Sequence, residues 1–195
     1  MRPHTLKVAM DEGLKFRYVL AGLQAGVTGT VLLLGCMMLG TSFDGHSIWL
    51  EPNLFATTFY GPHAYEDGFF LDTWAGLALI VLIYGLLGAI WGAVWRERNN
   101  RALAIIGAGT GIIVYYVFFH FAWNRVNGLL VLYTPNRPMA FGHVLWGLML
   151  SKSPTYARRI AATVLDLPET PPDSAPPSPP VSRAGEEIRT GEVIQ

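Results

Sequence analysis

The chain of 195 residues holds one cysteine, Cys36, and only 14% of its side chains are charged. A single thiol excludes an internal disulfide framework and any multi-cysteine zinc or iron–sulfur centre built by this chain alone. An ordinary soluble domain is about 25% charged, so the shortfall points away from a water-exposed fold. The 14 Lys and Arg cancel the 14 Asp and Glu. That balance excludes a nucleic-acid binder working by bulk charge. Three long stretches, 18–40, 73–95 and 102–123, contain no Asp, Glu, Lys or Arg at all. An ion- or proton-coupled transporter needs such groups inside the membrane, so that class has no support. No Gly-x-Ser-x-Gly elbow is present, and Gly107-Ala108-Gly109-Thr110-Gly111 follows no strand, so it is no phosphate-cradling loop.

What is abundant is apolar: 51% of the residues are hydrophobic, with 21 Gly and 6 Trp. A helical crossing needs about 20 apolar residues, which 18–40, 73–95 and 102–123 each supply. A fourth apolar stretch, 139–151, has 13 residues. It covers about 20 Å at 1.5 Å per residue, against a hydrocarbon core of about 30 Å. Pro135 and Pro138 break the chain between the apolar run 129–133 and this segment. The expectation is a dip into the interface followed by a short or tilted fourth span; the rival is a segment lying flat on the outer surface. Charge chooses between them. Arg2, Lys7, Lys15, Arg17, Arg96, Arg98, Arg101, Lys152, Arg158 and Arg159 fall on one side of a four-span arrangement, and only Arg125 and Arg137 on the other. The 41–72 connection has five acids and no Lys or Arg. The positive-inside rule then places both termini in the cytoplasm.

The expected fold is therefore an all-α integral membrane protein, a four-span transmembrane helix bundle with N-in/C-in topology. Residues 1–17 form a cytoplasmic segment, 18–151 the bundle with its outer loop 41–72, and 152–166 an interfacial helix. In that last helix Ser153 caps, Pro154 takes the first position, and Ile160, Ala161, Val164 and Leu165 share a face while Arg158 and Arg159 reach for headgroups. In the outer loop a helix from Pro52 to Tyr60, closed by Gly61-Pro62, is expected to turn Leu54, Phe55 and Phe59 to lipid. Seven of the 13 prolines lie between Pro168 and Pro180, so 167–195 reads as a disordered Pro-rich tail. Leu33-Leu34-Gly35-Cys36 has the form of a lipobox. The acids Asp11 and Glu12 in the leader and the continuing run Met37-Met38-Leu39 make Cys36 an ordinary helix residue instead.

Small residues recur at helical spacing: Gly22 and Gly26 in the first span, Gly85, Gly88 and Gly92 in the second, Gly107 and Gly111 in the third. In lipid, close backbone approach at such positions drives helix association. They serve either packing within this bundle or a surface for another subunit, and their number favours the latter. Gln24 is expected to hydrogen-bond a neighbouring helix. His120 and His143 fall at similar depth near the outer face, because their helices run in opposite directions. The pair suits axial ligation of a haem or other tetrapyrrole, or, with His63, Glu66 and Asp67 of the acidic loop, a divalent metal. Against this stands the absence of His-Glu-x-x-His and of any fixed metal spacing. A histidine at a helix end commonly hydrogen-bonds a carbonyl.

The Gly-rich opening helix and the closing segment 141–147 (Phe-Gly-His-Val-Leu-Trp-Gly) resemble small four-span bacterial membrane proteins. The resemblance implies a bacterial inner membrane and identifies no functional residue. The expected function is that of a non-enzymatic accessory or assembly subunit, in contact with the bilayer and with a membrane-protein partner or a second copy, and without nucleic acid. The alternatives are the histidine cofactor site and a small oligomeric pore or transporter, the last lacking a polar lining.

Overall fold

A computed structural model describes residues 3–65, 68–95, 99–134 and 136–165, with side chains for 13–65, 68–95, 99–119, 121–134 and 137–163. Arg2, Glu66, Asp67, Arg96, Arg98 and the tail 167–195 lie outside the described residues, as do the side chains of Lys7, His120, Val164 and Leu165. Every regular element among the described residues is helical. The order is α1 (Pro3–Phe43), α2 (Leu50–Tyr60), a 3-10 turn (Pro62–Ala64), α3 (Leu71–Val94) and α4 (Asn100–Tyr115). A π-helical run (Tyr116–Trp123) then leads into α5 (Asn124–Val126), α6 (Gly128–Tyr133), α7 (Asn136–Leu150) and α8 (Ser153–Leu165). Three stretches are long and apolar enough to cross a membrane: Gly13–Phe43, Leu71–Val94 and Asn100–Val126. At 15 residues, α7 is shorter than these, about 22 Å by helical rise.

Local chemistry sets the ends. Pro3 opens α1, where its missing N–H costs nothing. The same helix closes in a Schellman motif: Gly45 adopts φ 82, its N–H bonds Ser42 O at 3.2 Å, and His46 N–H bonds Thr41 O at 3.0 Å. Helix α2 begins at Leu50, two residues before the expected Pro52, and ends at Gly61 with φ 76. Asn99 caps α4 by accepting the Arg101 N–H at 3.2 Å.

Helix α1 is the centre of the bundle, packing along α3, α7 and α8, while α7 also packs along α4. The registers come from glycine. A Cβ added at Gly22 would strike the Gly88 carbonyl, at Gly26 the Tyr84 carbonyl, and at Gly92 the Tyr18 carbonyl. The α1–α3 pair is thus antiparallel with backbones in contact. Gly107 meets the Gly147 carbonyl and Gly111 the His143 carbonyl, so α4 and α7 are antiparallel as well. Gly29 lies against Trp146 and Met149, and Gly142 against Leu33 and Cys36, which runs α7 antiparallel to α1. Gly85 faces the Val27 and Leu23 side chains. All seven glycines singled out for packing therefore have a helix of this same chain against them. By these registers Arg17, Arg101 and Lys152 lie toward one end of the bundle, and Asp44, α2, Asp72 and Arg137 toward the other.

Three local expectations are corrected. Leu54 and Phe55 do not face lipid: both are fully buried, and of that trio only Phe59, at 61% exposure, points outward. The reason is that α2 is drawn onto α3, with the Pro52 carbonyl occupying the space a Cβ on Gly76 would need. Gln24 makes no cross-helix bond among the described residues; its side chain is exposed, on the side of α1 away from α3. Ser153 does not cap α8, because its buried hydroxyl has no partner among the described residues. Ala157 is buried, Ile160 and Ala161 are half-buried, and α8 lies along α1, leaving Arg158 and Arg159 exposed on its other side.

Replacing Gly88 by leucine forces apart backbones already in contact and should cost about 1–3 kcal/mol or more. Gly109, with nothing within 4 Å of an added Cβ, is the control. Gly109→Ala should gain up to about 1 kcal/mol from helix propensity. Equilibrium unfolding of both variants in one detergent, followed by circular dichroism, checks the contrast.

Candidate functional site: a buried polar chain under α2

The antiparallel packing of both α3 and α7 on α1 brings Tyr84 of α3 and His143 of α7 together. Both are buried, His143 completely. The Tyr84 hydroxyl lies 2.7 Å from His143 Nε2, and His143 Nδ1 lies 2.8 Å from the Met139 carbonyl. A carbonyl only accepts, so Nδ1 carries the proton, Nε2 is bare, and the Tyr84 O–H donates to it. One neutral tautomer satisfies every polar atom of the ring. Edge-to-face contacts enclose it, with Tyr84 at 5.4 Å, Tyr115 at 5.5 Å and Phe119 at 6.2 Å between ring centres.

Helix α2, which belongs to none of the membrane-length helices, closes this end of the bundle through three more side chains. Asn53 donates to the Gly68 carbonyl at 2.9 Å and accepts the Thr73 hydroxyl at 2.6 Å. Thr73 in turn accepts the Phe70 N–H at 3.0 Å, so the group that starts α3 also anchors α2. Asn127 donates to the Leu54 carbonyl at 3.0 Å and to Thr57 Oγ1 at 2.7 Å. Glu51 is wholly buried. The Thr134 hydroxyl donates to its Oε2 at 3.1 Å, while Oε1 has no partner among the described residues. Desolvation pushes the Glu51 carboxyl up from an ordinary 4.5 to about 8, with the Thr134 bond pulling weakly the other way.

The histidines fare differently from one another. His143 has both ring nitrogens spent inside the chain, and an axial bond to a metal or macrocycle would require it to surrender Tyr84 or Met139. His120 sits in the π-helical run, and its ring lies outside the described residues. His63 is exposed in the 3-10 turn and lines an open hollow of about 290 Å³ with Ala64, Phe70, Leu71 and Asp72. The proposed companions Glu66 and Asp67 lie outside the described residues. Among the described residues no three His, Cys, Asp or Glu side chains come together. The sequence reading missed Tyr84, Thr134, Asn127 and Asn53, and counted Glu51 only as loop charge. A phenol in the middle of an uncharged span was the one available signal.

The arrangement can clamp α2, α3 and α7 to one another and can hold a proton on a carboxyl that has no counter-cation among the described residues. Comparison with protein-family models, with curated proteins and with solved structures gives no match.

Tyr84→Phe leaves the His143 Nε2 lone pair buried and unpaired, a loss of about 1–3 kcal/mol. Adding His143→Leu removes the stranded partner, so the double variant should be less damaged than the sum of the two singles. The expected coupling is about 0.5–3 kcal/mol. Equilibrium unfolding of the four proteins in one detergent measures it, and strict additivity would show that the bond contributes nothing.

Proposed function

We propose that the chain is a non-catalytic accessory or assembly subunit of a larger complex in a bacterial inner membrane. In this reading it crosses four times, with both termini cytoplasmic. The observation that carries the reading is the engaged interior. The glycine seams are filled by the chain's own helices, and His143 has no nitrogen to offer a ligand. A protein so occupied inside acts through its outside. Helix α4 packs chiefly on α7 among the long helices, and its other face presents Ile105, Ile112 and Ile113 exposed beside the bare Gly109. A second bare position, Gly35, lies on α1 between the exposed Val31 and Leu39. Small residues at an uncovered apolar face suit close packing of another helix.

The fourth crossing is supported by α7 running antiparallel between α1 and α4 with Trp146 and His143 fully buried, which a helix lying flat on the surface would not do. The N-in/C-in orientation is supported by Arg17, Arg101 and Lys152 lying toward one end.

Mild-detergent extraction from the native membrane, followed by native-gel sizing with identification of co-migrating proteins, tests the reading. Co-migration with a larger assembly is expected, weakened by Gly109→Leu or Gly35→Leu and retained in His120→Ala. Migration alone, as monomer or homo-oligomer, overturns it. A chromophore or stoichiometric metal lost in His120→Ala would favour the cofactor alternative. Reporter fusions after residues 46 and 165 should read outside and inside respectively.

A further inference from the structure

We propose that Glu51 is a proton-binding site: the side chain is carried as the neutral acid, and this proton latches α2 into the mouth of the bundle. The geometry carries the inference. Glu51 is fully buried, receives one neutral hydrogen bond from Thr134 at 3.1 Å, and leaves Oε1 unpartnered. An ionised carboxylate in that setting lacks the compensation that buried charge requires, whereas the acid form leaves only a neutral O–H to satisfy, a far smaller cost. Helix α2 packs against α1, α3, α6 and the 3-10 turn, so the titratable groups on each bear on the question. Tyr84 of α3 donates its hydroxyl hydrogen bond to His143 of α7. Cys36 of α1 and Asp72 of α3 are half-buried, and Asp44, His46, His63 and Tyr133 are exposed. Arg125 and Arg137, the basic residues on either side of α6 and Thr134, are exposed as well. No ion pair to Glu51 occurs among the described residues, and burial raising its carboxyl to about 8 agrees with this.

The sign follows. In the latched state Glu51 holds its proton up to about pH 8; released into water, α2 presents a carboxyl of ordinary acidity. Below the ordinary value both states are protonated and the latch is at full strength. As pH rises from the ordinary value to about 8, only the released state sheds the proton. The latch then weakens by up to about tenfold per pH unit. Above that it weakens no further.

Hydrogen exchange of the amides of 50–60 in the full chain in lipid nanodiscs, corrected for intrinsic rates, reads the latch directly. Protection in the wild type should fall by about tenfold per pH unit between roughly pH 5 and 8, and Glu51→Gln should hold it flat. In parallel, infrared spectra at pH 6 should show a protonated-carboxyl band that is absent from Glu51→Gln. In the wild type the band should vanish with a midpoint near 8. Thr134→Val removes the one donor to the carboxylate and should move that midpoint up. Superimposable protection profiles for wild type and Glu51→Gln overturn the proposal, as does a spectrum at pH 6 with no Glu51-dependent acid band. If Glu51→Gln fails to fold, the wild-type and Thr134→Val infrared titrations decide alone: an upward shift supports the latch, and an unchanged midpoint or a missing band refutes it.

Discussion

Backbone contact between helices, made possible by glycine, is the constraint on which everything else in this molecule rests. Among lipid chains, one apolar side chain gains little by touching another, so helices associate through close approach and polar bonds. Here Gly22, Gly26, Gly88 and Gly92 seat α1 against α3, while Gly107, Gly111 and Gly147 seat α7 against α4. The two seams flank the Tyr84–His143 bond at close range. The Tyr84 carbonyl abuts Gly26, and the His143 carbonyl abuts Gly111. The α1–α3 seam and the packing of α7 on α1 at Gly29 and Gly142 together bring the phenol to the imidazole. The hydrogen bond is thus a consequence of helix registers set by residues that have no side chains.

Polar chemistry then does what apolar packing cannot, which is to hold a short, loop-borne helix at the bundle mouth. Helix α2 has 11 residues, below the length at which an isolated helix is stable in water. Asn53, Asn127 and Glu51 tie it to three separate parts of the chain: the start of α3, the turn before α6, and Thr134 ahead of α7. Phe55 adds an edge-to-face contact with Trp123 at 5.3 Å. Trp123 is also the last residue of the π-helical run, a form often found where a helix is re-aimed for a local purpose. Here that run delivers Phe119 to His143 and Trp123 to Phe55.

The comparison of His143 with Glu51 shows how the same burial yields opposite outcomes. His143 became a core histidine because a carbonyl one turn behind it fixed its tautomer and a phenol across the seam consumed the remaining lone pair. Among the described residues Glu51 has one donor and no cation, so burial acts on its proton instead. The histidine that looked like a ligand in the sequence is saturated, and the glutamate that looked like a solvated loop charge is the group left with an unmet need.

By itself the sequence determined the all-helical class, the three membrane-length helices and the small-residue spacing along them, because these depend on composition and on periodicity within one segment. Gly61-Pro62 as a stop was equally local and therefore within its reach. Only the tertiary structure decided which helix each glycine meets, that Leu54 and Phe55 turn inward, that Gln24 turns outward, and that Tyr84 and Thr134 find His143 and Glu51. Those outcomes are set by pairings 59 and 83 residues apart. A local pattern says that a face is apolar or a residue small; it does not say which of several equally apolar surfaces will cover it. That choice belongs to the relative registers of α1, α3, α4 and α7, which exist only once the helices have packed.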